Sequence, residues 1–423
     1  MKKLIAAVLV LLISTALFIG CGKDSAGAPA EEEGEIVLTF PTFGVGQDSK
    51  SGPLAVLVQD FNNENSGRVK VAIEPSPDTD GYRDKLNTQL ASGLAPDIFV
   101  FNPDPTTFQY YESDILMDFT EDLTGSWRSD FVESYIDEST IAGRTKTIPF
   151  EIGITPIWYN MDLLIKAGID TVPETIEEVR QAAEALKAAG TTPTSQMTGG
   201  SNAWTSMLWY SHILGSLGGP KVWEKELSDP VYVEAAEVLK LLYADGNTTR
   251  DAVGGDAGVS GGHYMAGDTA AFINGPWYVG RIRNDAPAVH ASTVLAPAPR
   301  VGEYYGHQIG FLLSNLAAGN TESSKKREAV LSFMKYMTDP ENIQMMSEES
   351  GSLFAVKYEL GAEADPLQRE FVRAASEAEF VIGHFQSRYP VRVVSEFGQA
   401  LAAMALGEAT PAEFVQMLID VNN

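Results

Sequence analysis

The chain has 423 residues, 44% of them hydrophobic and 21% charged, a composition that excludes a disordered chain and a length too great for a single core. Its 57 acidic side chains against 30 basic ones give a formal net charge of −27 at pH 7, and such a surface repels nucleic acid and anionic lipid. One cysteine, Cys21, excludes an intramolecular disulfide and a cysteine-built zinc site, and the five histidines lack paired ligand spacing, so neither a metal nor a cofactor is expected.

The chain opens with Lys2 and Lys3, then an apolar run from Leu4 to Ile19 broken only by Ser14 and Thr15, then Gly20 and Cys21. A basic start, a short apolar stretch and a small residue form a secretory signal over residues 1–20. The run is short for a membrane span of about 30 Å. Phe18-Ile19-Gly20-Cys21 resembles the lipobox of bacterial lipoproteins, with Phe18 where that pattern usually has a smaller aliphatic residue. Cleavage there would leave Cys21 as a lipidated N-terminus. Residues 21–34 would form a polar tether holding a soluble body beside a membrane.

From Glu35 onward, strands and helices alternate. Ile36–Phe40 is β-rich and runs into Pro41; Pro53–Phe61 has helical apolar spacing; Val69, Val71 and Ile73 alternate with polar neighbours. A helix over Tyr82–Ala91, ended by Gly93, precedes a third strand over Asp97–Phe101. This βαβαβ order predicts a parallel, doubly wound sheet. Thr175 and Glu178 form a capping box behind Pro173, and Ile176, Val179, Ala182, Ala183 and Leu186 share the face that follows. A second stripe, Ala329, Val330, Phe333, Met334 and Met337, ends before Pro340.

Several of these segments, in order, carry a resemblance. Leu86-x-x-Gln89-Leu90-Ala91-Ser92-Gly93-x-x-Pro96-Asp97-Ile98 is followed by Pro149-Phe150, then Trp158-Tyr159-Asn160-Met161-Asp162, then Pro173-x-Thr175-Ile176-x-Glu178. The most specific segment is Gly267-Asp268-Thr269-Ala270-Ala271-Phe272-Ile273-Asn274-Gly275-Pro276-Trp277; Thr338-Asp339-Pro340-Glu341-Asn342 and Gly407-Glu408-Ala409-Thr410-Pro411 come later. Together they resemble the extracellular solute-binding proteins of carbohydrate ABC importers, the family of maltose-binding protein. The resemblance implies an α/β, two-lobe periplasmic-binding-protein-like fold of type II, with a ligand cleft between the lobes. Lobe 1 is expected over residues 35–152 plus 312–340, and lobe 2 over 153–311 plus 341–423. Crossovers are expected near Ile152–Thr155, Gln308–Leu312 and Thr338–Pro340. The implied partners are a small sugar ligand and the permease subunits of an importer whose ATPase is a separate chain. The chain itself is expected to be a monomer outside the cytoplasm, in the periplasm or at the cell surface.

Sugars present hydroxyl edges and apolar faces, so a sugar site needs aromatic platforms beside short-range donors and acceptors. Trp277 follows a turn that can present a side chain at a lobe edge, and in similar proteins the tryptophan of this motif stacks on sugar. Trp204 stands where a polar loop enters the apolar run Met207–Leu214. Asn102 and Asp104 follow the third strand, at the end where α/β sheets place ligands. The resemblance gives Asp104 the role of a carboxylate accepting sugar hydroxyls and puts Phe101 where a stacking aromatic occurs. Thr42 and Phe43, after the first strand, and Tyr305 and Gln308, beside the second crossover, complete the expected ligand contacts.

Two catalytic patterns fail on context. Gly258-x-Ser260-x-Gly262 matches a nucleophile elbow, but turn-rich residues 251–257 precede it where a buried strand is required. Gly44-Val45-Gly46 lacks the third glycine of a dinucleotide loop, and no phosphate-binding Gly-Lys-Ser/Thr occurs. The expectation is a binding protein rather than an enzyme. The alternatives are a surface-anchored carbohydrate-active enzyme, which would need two carboxylates at a fixed separation, and a receptor for a non-sugar solute such as a polyamine.

Overall fold

The computed structural model describes residues 34–76, 79–101, 107, 109–199 and 203–422. The signal segment, Cys21, the tether to residue 33, Asn102 and Asp104 lie outside the described residues.

The chain forms two α/β lobes. In the first, the strand Ile36–Thr42 pairs in parallel with Val69–Pro75, Leu38 facing Val71. The helix Ser51–Glu64 between them buries Leu54, Leu57, Val58 and Phe61, the face that its apolar spacing predicts. Phe61 and Phe40 both meet the ring of Phe333 edge-on, at 5.0 and 5.8 Å between centroids. The late helix Ser324–Met337 thus packs on the first strand, burying Ala329, Val330, Phe333, Met334 and Met337 as its stripe requires.

Of the three strands expected to form a parallel sheet, only the first two pair that way, and Phe99–Phe101 joins another sheet. The sheet beside it is mixed. Gln308–Ala317 runs antiparallel to both Ile148–Ile154 and Phe99–Phe101, while Val381–Ile382 joins it in parallel and Leu353–Phe354 flanks Ile148–Ile154 antiparallel. The reason is topological: a strand returning from another lobe enters from the opposite end to a strand reached through a local helix. Ile148, Phe150, Leu312 and Leu316 belong to the first core, whereas Ile154 and Ile309, at the other ends of the same two strands, belong to cores of the second lobe. This pair therefore carries the chain between lobes. Its ladder is irregular midway, between Leu312 and Asn315.

The third passage falls later than Thr338–Pro340. Asp339 caps a new helix, Pro340–Ser350, by accepting from the Glu341 N–H. Ile343 and Met346 of that helix, with Phe354 and Val356, pack into the first core. Leu353 touches the second lobe's packing first, and the chain re-enters it with Leu367 and Phe371. Proline at the first position of a helix starts it as readily as it ends the preceding one, so Pro340 marked a helix boundary and not a lobe boundary.

The second lobe is built on the strand order Thr293–Ala296, Ile157–Asn160, Thr269–Ile273, Thr192–Thr194. Ile157 and Tyr159 face one core and Trp158 the other, so helices cover both faces of this sheet. Thr175 and Glu178 form the expected capping box for the helix Ile176–Ala188, and Gly190 adopts the left-handed conformation (φ +79°) beyond its end. The helix Trp204–Gly218 is buried on nearly every side.

Candidate functional site

Asn274-Gly275-Pro276-Trp277 is a rigid turn. Asn274 is buried, its carbonyl accepts from Trp158 Nε1–H (3.0 Å), and its Oδ1 accepts from the Gly275 N–H (2.9 Å). The Trp277 ring folds back over Gly275, where an added Cβ would lie 2.2 Å from it, so only glycine fits beneath the ring. Trp277 stays half-buried.

Trp277 has two aromatic neighbours. The ring of Trp204, at the start of its helix, lies 6.1 Å away, and Phe311, on the interlobe strand Gln308–Ala317, lies 6.3 Å away. Phe311 in turn lies 5.4 Å from the buried ring of His384. The opposite interlobe strand makes room: a Cβ on Gly153 would come within 2.6 Å of the Phe311 ring. Trp204, Trp277 and Phe311 are each half-buried and form a continuous aromatic strip at the junction of the lobes.

The first lobe reaches this strip through the loop after its first strand. Thr42 is buried, and its Oγ1 accepts from the Gly44 N–H (3.1 Å). Phe43 packs edge-on against Tyr82, 5.3 Å between centroids. Beyond the turn, Ser49 Oγ donates to the Trp277 carbonyl (3.1 Å), a bond between the lobes. Next to it, the buried Lys50 ammonium lies 3.2 Å from Glu151 Oε1 and 3.1 Å from Asp48 Oδ1. Ser352 Oγ donates to the same Glu151 oxygen (2.8 Å). Burial alone would lower the Lys50 pKa, but the Glu151 and Asp48 carboxylates override it and hold the ammonium above the usual lysine range. The aromatic strip therefore borders a buried polar group in which burial pushes the Glu151 carboxyl up while the Lys50 ammonium pulls it back down.

The structure brings Trp204 and Trp277 together, while Phe43 packs on Tyr82 and the first-lobe bond to Trp277 comes from Ser49. It separates the others. Phe101 is buried against Phe99 and Tyr111 in the first core, so its ring is packing and not a platform. Tyr305 is exposed and lies by Glu174, Arg300 and Glu178 at the capped end of the helix Ile176–Ala188. Gln308 is buried at the start of its strand, its N–H donating to the Phe380 carbonyl. Sequence reasoning missed Phe311, Lys50 and Glu151. Glu151 left a signal: a carboxylate amid the apolar Ile148-Pro149-Phe150 and Ile152-Gly153-Ile154 is out of place unless a buried cation meets it.

Ser260 lies inside the helix Ala257–Met265, buried, and not on a strand-to-helix elbow. His263 on that helix bonds Asp251 and Asp268 instead. Among the described residues, no group of three or more His, Cys, Asp or Glu is placed to hold a metal ion, and no helix is long and apolar enough to cross a membrane.

Comparison with known proteins agrees with this geometry. Residues 47–344 match the family model described as bacterial extracellular solute-binding protein. A binding protein of Brucella abortus (strain 2308) is 24% identical over 280 residues, 65% of this chain and 66% of that relative, so the match spans just under two thirds of the relative's length. A chitin oligosaccharide binding protein has the same fold, with a TM-score of 0.84 at 22% identity over 92% of this chain and 98% of its own. A maltose-bound protein of T. maritima aligns with a TM-score of 0.76 at 19% identity, over 91% and 99% of the two chains.

Proposed function

Because this chain belongs to the bacterial extracellular solute-binding protein family, we propose that it captures a sugar or oligosaccharide between its lobes and delivers it to the membrane permease of an ABC importer. The observation that carries the sugar reading is the half-buried strip Trp204–Trp277–Phe311 bordered by the Asp48–Lys50–Glu151 group. Flat apolar faces suit the C–H faces of a sugar ring, and adjacent buried charges suit its hydroxyls. The oligosaccharide named for the similar chitin-binding structure and the maltose of the T. maritima complex support the same class. Asn102 and Asp104, after the third strand, remain proposed first-lobe contacts, opposite Trp277.

The family acts outside the cytoplasm. In our reading the signal segment is cleaved before Cys21, which is then lipidated, and residues 22–34 tether a monomeric body to the membrane. Mass spectrometry of the membrane fraction should find a diacylated Cys21 at the N-terminus; an intact Met1 on the mature protein would overturn this.

A thermal-shift screen across neutral oligosaccharides and polyamines tests the ligand class. A ligand that binds only the native state at about 100 times its Kd stabilises it by about 2.7 kcal/mol. We expect oligosaccharides to raise the melting temperature saturably. A shift with polyamines and none with saccharides would transfer the site to a cationic solute. Turnover of a saccharide would make the protein an enzyme.

A further inference from the structure

Within the second lobe, the helix Ile176–Ala188 covers a cavity of about 50 Å³. Its walls are mostly apolar, but Tyr159, Trp209, Asn247, Thr194 and Arg180 also line it. A second cavity of about 10 Å³ shares Trp209 with the first and is lined by His212 as well.

Four buried polar atoms on these walls have no hydrogen-bond partner in the protein: Tyr159 OH, Trp209 Nε1, Asn247 Oδ1 and His212 Nδ1. Their roles are fixed by chemistry. Trp209 Nε1–H can only donate. Asn247 Nδ2 donates to the Leu241 carbonyl (2.8 Å), which orients the amide and leaves Oδ1 as an acceptor. His212 Nε2 lies 2.7 Å from the Thr155 carbonyl oxygen, which can only accept, so Nε2 carries the ring proton. Burial keeps the imidazole neutral, its pKa pushed down to about 3, so Nδ1 presents a lone pair. Tyr159 OH can act either way. Donors and acceptors are thus both present on residues that line the two spaces, and none of the four is paired within the protein.

We propose that the two cavities form an internal water-binding site. In the larger, water accepts from Trp209 Nε1–H or Tyr159 O–H and donates to Asn247 Oδ1. In the smaller, which Trp209 also lines, one water donates to His212 Nδ1 and can accept from Trp209 Nε1–H. A cavity of about 10–15 Å³ is the least that holds one water, and a buried water commonly makes about three hydrogen bonds. The second space reaches that lower limit and the first exceeds it. A purely apolar guest would leave all four atoms unpaired. The waters join Tyr159, on the strand Ile157–Asn160, and Asn247, beyond the helix Pro230–Leu241, to the helix Trp204–Gly218. That helix begins with a ring of the aromatic strip, so the waters brace one wall of the site. This inference stands whatever solute the cleft takes.

A high-resolution crystal structure of the mature chain, with and without xenon pressure, tests it alongside melting of Tyr159→Phe. Expected are ordered waters within about 2.7–3.2 Å of Asn247 Oδ1 and of His212 Nδ1, no xenon displacing them, and a Tm for Tyr159→Phe lower by on the order of 1 °C. The proposal is overturned if either position lacks water or if xenon fills the larger space. It is also overturned if the Tm of Tyr159→Phe is unchanged or raised, as for a hydroxyl with nothing to bond.

Discussion

Two residues test what the site is made of. Trp277 is half-buried over a turn that fixes its position. Its replacement by alanine removes a stacking contact of about 0.5–1.5 kcal/mol plus the buried area beneath the ligand. Titration calorimetry should therefore show affinity falling about tenfold or more, with the melting temperature of the free protein little changed. Unaltered affinity would leave Trp277 a packing residue. Lys50 tests the polar side. Its ammonium is the cation beside Glu151, whose side chain is 1% exposed. Lys50→Met should cost about 3–5 kcal/mol of stability in urea unfolding, because it strands a buried carboxylate. The double variant Lys50→Met, Glu151→Leu should recover much of that loss. A single variant as stable as the wild type would show that the pair is solvated in solution.

At the scale of elements, the interlobe strand pair sets the site's shape. Gly153 on one strand makes room for Phe311 on the other. In Gly153→Ala the ring must move, since its far edge is what the new methyl meets. Affinity should fall by the worth of about one aromatic contact, about 0.5–1.5 kcal/mol, and titration beside a melting curve would separate this from unfolding. Equal affinity would remove Phe311 from the strip. The elements themselves were readable where local chemistry decides them. The capping box at Thr175 and Glu178 and the stripe from Ala329 to Met337 appear in the sequence as they do in the structure. Trp277 was readable from its turn. Phe311 and Lys50 were not, because only pairing between distant strands sets Phe311 beside Trp277, and only the fold sets Lys50 against Glu151. The third interlobe passage was misplaced for a similar reason: Pro340 breaks a helix locally, while Ile343 and Met346 reveal their core only through tertiary packing.

For the whole molecule, three buried imidazoles near the lobe junction decide the response to acid. Burial pushes His212 down to about 3, with His307 adding to the effect, and it pushes His307 to about 4 and His384 to about 3. Their ordinary value is 6.5, so between these limits the unfolded chain binds more protons and stability falls as pH drops. By about pH 5 each contributes a loss of about 2 kcal/mol. His263 acts in the opposite sense: its bonds to Asp251 and Asp268 raise its pKa, so its contribution is present below 6.5 and is lost as pH rises through the raised value. Such an exposed pair is worth only about 0.2–1 kcal/mol. The buried rings win, and the urea midpoint should be markedly lower at about pH 5 than at about pH 7.5. An equal or higher midpoint in acid would contradict the neutral, buried rings. Ligand capture is also a property of the whole, since a solute shifts the lobes toward closure only by contacting both of them. The most direct test is a crystal structure of the mature chain with the saccharide that most raises its melting temperature. The account predicts a sugar ring stacked on Trp277, with hydroxyls bonded by first-lobe residues from the loops after Thr42 and Phe101. A saccharide held by one lobe alone, or bound away from the Trp204–Trp277–Phe311 strip, would contradict it.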